Sequence, residues 1–260
     1  MKNIYLIKNS KLEVSCDDVK LSNRLKNWLN IFEVIKADKK KIINSINIKN
    51  GKIRVVVNND ELLNSYLETT DLYPIVMNML ANLIDDNDNI LLHSTVISKD
   101  GYGILLLGTF GVGKTYLSLV AEQNGYIINS ADFSWFKIKG NELILIKGSN
   151  YLKYDNDERF LSKKYINSHI VIKCIVFLDG MCDGNNSVFE KMFNNNYIMR
   201  KTFPFANWHS SIPLISDNIN LPLNNVNIKE CLLKFIDKNQ NFISFRGDSN
   251  KLISIINDKI

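Results

Sequence analysis

The pattern of apolar and polar residues changes about a third of the way along the chain. Before residue 88, short apolar runs alternate with polar stretches, as in strands joined by turns. Apolar residues at helical spacing then predict an amphipathic helix over Leu72–Ile84, which the polar cluster Asp85–Asn89 ends. We therefore predict a small N-terminal α+β lobe over residues 1–88. Its predicted strands are Ile4–Ile7, Ile31–Ile35 and Ile53–Val57, with a turn at residues 58–60.

From residue 89 onward, apolar strands alternate with helical patterns and glycine-containing turns. This alternation predicts an α/β fold with a mixed sheet over residues 89–260. The predicted strands are Ile90–Ile97, Gly103–Leu107, Tyr126–Asn129, Phe133–Ile138, Glu142–Ile146, Ile170–Leu178 and Phe242–Phe245. The predicted helices are Gly113–Gln123, Val188–Phe193, Ile228–Ile236 and a C-terminal helix capped by Asp248 or Ser249.

One segment of this second part fits the pattern G-x-x-x-x-G-K-[ST], the P-loop of nucleotide-binding proteins. The apolar strand Gly103–Leu107 runs directly into it, and a helix leaves it. In this pattern the glycines let backbone N–H groups approach phosphate oxygens, the lysine binds the β- and γ-phosphates, and the hydroxyl binds Mg²⁺. The predicted phosphate-binding residues are Gly108, Thr109, Phe110, Gly111, Val112, Gly113, Lys114, Thr115 and Tyr116.

A P-loop site also requires a carboxylate at a strand end to hold the metal ion. Asp132 follows the strand after the P-loop helix, and Asp179 ends the longest apolar strand of the second half. The pattern alone does not choose between them, and an aspartate at a strand end is also a common turn residue. His93 lies in the strand that we expect to pair with the one entering the P-loop. That pairing would place it near the phosphates.

Composition and charge narrow the classes of function. The 260 residues are 45% hydrophobic and 23% charged, which is a globular composition. The net charge of +5 is scattered, so we expect no nucleic-acid surface. No apolar run reaches the roughly 20 residues of a membrane span, and no signal-peptide pattern opens the chain. We therefore expect a cytoplasmic protein with no membrane contact and reduced, mostly buried cysteines at 16, 174, 182 and 231.

The stretch from His93 to Asp132 resembles the catalytic core of HPr kinase/phosphorylase and its relatives. In those families a histidine opens a strand, a glycine turn leads into the P-loop strand, and paired aspartates close a later short strand. The order and spacing of the landmarks match over some forty residues. They are His93–Ile97, Gly101–Gly103, Ile104–Gly108, the P-loop, Asn124–Tyr126 and Ile127–Asp132. The N-terminal lobe has only a loose likeness to kinase-like relatives from peptide natural-product clusters.

The resemblance implies an HPr-kinase-like fold and ATP-dependent, Mg²⁺-dependent transfer of phosphate to a serine or threonine of a peptide or small protein. It places Asp132 on the metal side with Thr115, and His93 close to the transferred phosphate. It gives Asp179 no role, which leaves that residue as a turn former or a secondary-site candidate. ATP is favoured and GTP stays open, because no N-K-x-D base-reading motif of GTPases occurs near the expected place. Relatives often assemble, so a homo-oligomer stays open.

The chain departs from the family pattern at Ala131, where the first aspartate of the pair, the general base, is expected. A methyl group cannot accept a proton. Phosphoryl transfer depends mostly on positioning and electrostatics, so turnover can survive this change. Three interpretations stay open: a natural variant that uses His93 or Asp132 as base, a nucleotide-binding module without catalysis, or a deliberate Asp-to-Ala replacement. A regulatory enzyme that only hydrolyses nucleotide is a further class.

The acceptor side of the site is less clear in the sequence. The segment Tyr197–Ile215 places Arg200 and Lys201 among aromatic residues, including Trp208. Such cations could contact phosphate or a peptide, or they could be solvated charges on a packed loop. Arg246, at the end of the last strand, is another candidate cation.

Overall fold

The structure is a computed structural model that describes residues 1–36, 44–66, 72–155, 157–161, 169–181, 187–206, 228–238 and 241–257. The described residues form two compact units. The first covers Met1–Asp85, and the second covers Asp86–Ala206 together with residues 228–257. None of the helices in these ranges has the length and apolarity that a membrane span requires.

The first unit contains a six-stranded sheet in the order β3-β1-β2-β4-β5-β6, antiparallel except for the parallel pair β2–β4. Its strands are β1 (Lys2–Ile7), β2 (Ser10–Cys16), β3 (Glu33–Ile35), β4 (Asn44–Lys49), β5 (Lys52–Val57) and β6 (Asp60–Tyr66). Its helices are α1 (Val19–Leu29) and α2 (Leu72–Ile84). The Asp18 carboxylate caps α1 by accepting the Leu21 N–H at 2.8 Å.

The predicted α2 has the bounds that the structure shows, but its predicted amphipathic character is wrong. Eleven of its residues are buried, and the other two, Tyr73 and Asn82, are half-buried. A helix that is apolar around most of its circumference is an interior helix. The apolar positions that suggested one stripe therefore belong to a helix buried nearly all round.

The second unit contains an eight-stranded mixed sheet in the order β11-β10-β7-β8-β14-β16-β15, with β9 also paired to β7. Its strands are β7 (Asn89–Lys99), β8 (Tyr102–Leu107), β9 (Ile127–Ser130), β10 (Phe133–Lys139), β11 (Glu142–Gly148), β14 (Val171–Met181), β15 (Val188–Met192) and β16 (Phe242–Gly247). A separate hairpin consists of β12 (Tyr151–Tyr154) and β13 (Asp157–Phe160). The helices are α3 (Lys114–Gln123), α4 (Asn195–Ala206), α5 (Ile228–Lys238) and α6 (Ser249–Asn257).

Three neighbouring parallel strands, β8, β14 and β16, occupy one half of this sheet. Their carboxyl ends therefore lie at the same edge, which is where open α/β sheets bind ligands. β8 carries a nearly continuous apolar sequence because it is covered on both faces, and Leu105, Leu106 and Leu107 are fully buried. The carboxyl end of β8 leads directly into the glycine-rich segment.

One helix prediction in this unit is wrong. Val188–Phe193 was expected to be helical but forms β15, which pairs antiparallel with β16 from Phe242 to Arg246. Five residues are too few for a stable isolated helix, and the open edge of β16 offers backbone partners instead. A packed loop was one of the two interpretations of the segment Tyr197–Ile215, but its described residues belong to α4, whose first turn the Asn194 side chain caps at 3.1 Å. Residues 207–215 lie outside the described residues.

Candidate functional site

The segment Gly108–Gly113, here called the glycine loop, joins β8 to α3. Gly111 and Gly113 have φ values of 79° and 100°, a left-handed conformation that side chains with a Cβ rarely adopt. A Cβ on Gly108 would lie 3.2 Å from the Leu178 carbonyl oxygen, so the loop starts tight against β14. The predicted strand and helix on either side of this loop are confirmed.

Lys114 is the first residue of α3, and its side chain turns back into the glycine loop. Its Nζ donates hydrogen bonds to the carbonyl oxygens of Gly108 at 2.6 Å and Thr109 at 3.1 Å. The residue is only 7% exposed. Burial lowers the pKa of the ammonium group from 10.5 to about 8, and the Asp132 carboxylate opposes that change. The glycine loop therefore surrounds the Lys114 ammonium group and shields it from most of the solvent.

Sheet register aligns the glycine loop with the predicted carboxylate. Leu107, the last residue of β8, lies opposite Ser94 of β7. On the other side of β7, the backbone N–H of Ser94 donates to the Asp132 carbonyl oxygen at 3.2 Å. Leu107, Ser94 and Asp132 therefore occupy one row across three neighbouring segments of the sheet.

Ala131 and Asp132, here called the 131–132 corner, connect β9 to β10 along the same edge of β7. The Thr95 hydroxyl donates to the Ala131 carbonyl oxygen at 2.7 Å, and both groups are buried. The Ala131 N–H donates to the Ser149 carbonyl oxygen at 2.9 Å. These bonds fix the corner beside the middle of β7. Within its two residues, the pairing of β9 with β7 ends and the pairing of β10 with β7 begins.

His93 lies in β7 beside this corner. Its Nε2 is 3.7 Å from an Asp132 carboxylate oxygen, and its ring centroid is 6.4 Å from that of Phe110 in the glycine loop. Burial lowers the pKa of the imidazole from 6.5 to about 3, and the Lys114 ammonium adds to that lowering. His93 is therefore neutral at physiological pH, and Lys114, Asp132 and His93 form one electrostatically coupled group.

Ala131 is 6% exposed, so its methyl group is covered. The neighbouring Ser149 hydroxyl is also buried, and it has no hydrogen-bond partner in the described part of the chain. A carboxylate at position 131 would need a donor in such surroundings. The predicted acceptor-facing role of position 131 stays a prediction.

Thr115 and Tyr116 follow Lys114 in the first turn of α3. Thr115 is half-buried, and its carbonyl oxygen accepts the Ser118 hydroxyl at 2.7 Å. Tyr116 is 40% exposed, and its ring centroid is 5.8 Å from that of Tyr154 at the end of β12. The sequence does not predict a role for Tyr154. It lies 38 residues beyond Tyr116 in the chain, and no local motif indicates that the two rings are in contact.

Of the two roles left open for Asp179, that of a turn residue is wrong. It lies within β14 at a β-bulge, where the register against β16 shifts between Leu178 and Gly180. A bulge redirects a side chain. The Asp179 carboxylate here accepts hydrogen bonds from Lys201 Nζ, at 2.7 and 2.8 Å, and from the Ser244 hydroxyl. Because β14 neighbours β8, a second carboxylate flanks the glycine loop.

The structure does not bring the remaining predicted cations together with Lys114. Arg200 is exposed on α4, and the Arg246 side chain lies beside Gly180. Trp208, His209 and Cys182 lie outside the described residues. Cys16, Cys174 and Cys231 are buried, as predicted, and the Cys16 and Cys231 thiols contact backbone carbonyl oxygens.

No protein-family model and no curated protein matches this chain. Among solved structures, the chain is similar to the Hpr(Ser) kinase/phosphatase from Coxiella burnetii, with 17% sequence identity and a TM-score of 0.31. The similarity covers 40% of this chain and 77% of that chain. A similarity of this extent leaves the activity to be inferred from the residues of the chain itself.

Proposed function

We propose that this chain is an ATP-dependent kinase of the HPr-kinase-like group, which transfers the γ-phosphoryl group to a serine or threonine hydroxyl of a peptide or small protein. The observation that carries the proposal is the meeting of the glycine loop, Lys114 and the Asp132 carboxylate at the carboxyl end of β8. A buried ammonium group enclosed by a glycine-rich strand-to-helix turn is suited to a polyphosphate.

The glycine loop fits the phosphates in this proposal. Its left-handed glycines and the N-terminus of α3 direct backbone N–H groups toward one anion site. Lys114 binds the β- and γ-phosphates after it leaves the carbonyl oxygens of Gly108 and Thr109. Its charge then stabilises the negative charge that develops on the leaving phosphate oxygen.

Thr115 and Asp132 fit the magnesium ion that kinases use. Mg²⁺ on a nucleotide usually takes one or two protein oxygens, together with water and phosphate oxygens. A threonine hydroxyl and a half-buried carboxylate provide that set. Asp132 is preferred over Asp179 because it is the carboxylate that acts on Lys114. When bound, the ion neutralises charge on the phosphates.

The transfer step forms a bond between the acceptor oxygen and the γ-phosphorus, and breaks the bond from that phosphorus to the β–γ bridging oxygen. The acceptor proton goes to a base or to the phosphoryl oxygens. Asp132 is the carboxylate at hand in the 131–132 corner, and the neutral His93 ring lies beside it, with Nε2 3.7 Å from a carboxylate oxygen. A histidine with a pKa of about 3 is a weak base, so its proposed role is to shape the corner by packing rather than to take the proton.

The first test replaces the lysine. Lys114→Ala should lose Mg·ATP binding, measured by calorimetry, and transfer of label from γ-labelled ATP to a pool of serine- and threonine-containing peptides. Lys137→Ala, an exposed lysine on β10, is the matched control and should keep both. Circular dichroism checks that both variants fold. Binding and transfer retained by Lys114→Ala would refute the proposal.

A second candidate function, a nucleotide-binding module without transfer, is favoured by Ala131. We compare the unaltered chain with Ala131→Asp in the same peptide assay. We expect transfer in the unaltered chain and at least tenfold faster transfer in the variant, because general-base catalysis contributes roughly 10²–10⁴-fold. Mg·ATP binding without transfer in either protein would favour the module. Phosphate release that needs no peptide would indicate a hydrolase instead.

A further inference from the structure

Two tyrosines form an aromatic pair beside the first turn of α3. The ring centroids of Tyr116 and Tyr154 are 5.8 Å apart, and the ring planes are inclined by 32°. Tyr116 is 40% exposed and Tyr154 is half-buried. The two rings are therefore in contact but tilted, and the pair still presents ring surface to solvent.

The hairpin of β12 and β13 holds Tyr154 in this place. The Arg159 guanidinium of β13 lies 2.5 Å from a Glu122 carboxylate oxygen of α3, which links the hairpin to the same helix. On the hairpin itself, the rings of Tyr151 and Phe160 pack with centroids 5.5 Å apart. A tyrosine 38 residues from Tyr116 is thus held against the helix that begins at the glycine loop.

The tyrosine pair lies on the side of the glycine loop toward which the nucleoside of a bound nucleotide would extend. In a P-loop the lysine contacts the β- and γ-phosphates, while backbone N–H groups of the loop and first turn contact the α- and β-phosphates. The nucleoside is attached at the α-phosphate, so it leaves the site past the first turn. Tyr116 directly follows Thr115 in that turn.

We propose that Tyr116 and Tyr154 form the surface on which the nucleobase of the bound nucleotide stacks. This inference rests on the proposed function, because it requires a nucleotide in the glycine loop. Stacking accepts every base, since each base has a π-face, and it favours the larger purine rings. The pair therefore selects purine nucleotides over pyrimidine nucleotides and discriminates little between ATP and GTP.

The test separates the base from the phosphates. Calorimetry compares binding of ATP and of inorganic tripolyphosphate, which has no base, to the full chain and to the variants Tyr116→Ala and Tyr154→Ala. We expect each variant to lose about tenfold in ATP affinity, from the typical strength of base–aromatic stacking. Tripolyphosphate affinity should change less than twofold. In the unaltered chain, CTP should bind more weakly than ATP and GTP.

Tyr102→Ala is the matched control, because Tyr102 is 47% exposed but begins β8 at the end away from the glycine loop. It should keep the affinity for both ligands. Equal losses of ATP and tripolyphosphate affinity in Tyr116→Ala would overturn the inference, since the tyrosine would then act on the phosphates. Unchanged ATP affinity in both tyrosine variants would overturn it as well. If the unaltered chain bound neither ligand, the proposed function itself would fail, which is a distinguishable result.

Discussion

At the level of single residues, Lys114 is the most informative group in the molecule. Its ammonium group is buried and hydrogen-bonded to two carbonyl oxygens of the glycine loop. Burial brings its pKa down to about 8, close to physiological pH. Such a lysine changes its protonation when an anion arrives, because a nearby negative charge favours the charged form.

We predict that Mg·ATP binding takes up a proton above about pH 8. There the free chain has partly lost the Lys114 proton, and the phosphates restore it by raising the pKa again. Affinity should therefore fall as the pH rises through 8, whereas near pH 7 the lysine is already protonated and no uptake is expected. Calorimetry at about pH 8.5, in buffers with different ionisation enthalpies, measures the protons directly.

Lys114→Arg is the control for this pH dependence. Arginine stays charged at every accessible pH, so proton uptake near pH 8.5 should disappear even if affinity falls. Uptake that persists in this variant would show that another group titrates, and would contradict the role assigned to the lysine.

At the level of secondary structure elements, two strands carry carboxylates to the neighbourhood of the glycine loop from opposite sides of β8. The 131–132 corner brings Asp132 along β7, and the bulge in β14 directs Asp179 toward Lys201 of α4. Asp132 is coupled to Lys114, whereas Asp179 already has an ammonium partner at 2.7 Å. The two carboxylates therefore have different electrostatic partners and should respond differently to replacement.

We predict that Asp132→Asn weakens the magnesium dependence of ATP binding, with at least a tenfold rise in the magnesium concentration needed for half-maximal binding. Removing one of two protein ligands from a metal site has an effect of this order or more. Asp179→Asn should shift that concentration less than threefold. A larger effect of Asp179→Asn would assign the metal to the β14 side and contradict the assignment to Asp132.

The parts of this site that consecutive residues form could be predicted from the sequence, whereas contacts between residues far apart in the chain mostly could not. Residues 103–115 were predictable because strand, loop and helix are consecutive, and the β7–β8 hairpin because Asp100 and Gly101 suit its left-handed turn. The Asp179–Lys201 pair and the partner of Tyr116 were not, since their members are far apart in the chain. Strands β2 and β4 were missed because lysine, glutamate, asparagine and serine interrupt their buried apolar residues and leave no continuous apolar run.

At the level of the whole molecule, the described chain consists of two units that each have a sheet and buried apolar residues. The glycine loop, the 131–132 corner and the tyrosine pair all belong to the second unit. Units with separate cores can unfold in separate transitions. A ligand of the second unit should then stabilise that unit in particular.

We predict two thermal transitions, of which Mg·ATP raises only one. Saturation at about 100 times the dissociation constant stabilises the binding unit by roughly 2.7 kcal/mol. Leu25→Ala, at a fully buried position of α1, should lower the free energy of unfolding of the first unit by about 2–5 kcal/mol, and with it the temperature of the other transition. Scanning calorimetry with and without nucleotide checks both shifts. A single transition that moves under both treatments would contradict separate unfolding.

The contact of Lys114 with the carbonyl oxygens of its own loop has a consequence for affinity. The ammonium group has already left bulk water when the chain folds, so an arriving anion replaces one set of oxygen atoms with another. The desolvation cost of this charge thus lowers the stability of the empty fold and does not recur at association. Association has to exchange these two hydrogen bonds for bonds to phosphate oxygens, but it does not include the cost of removing water from the ammonium group.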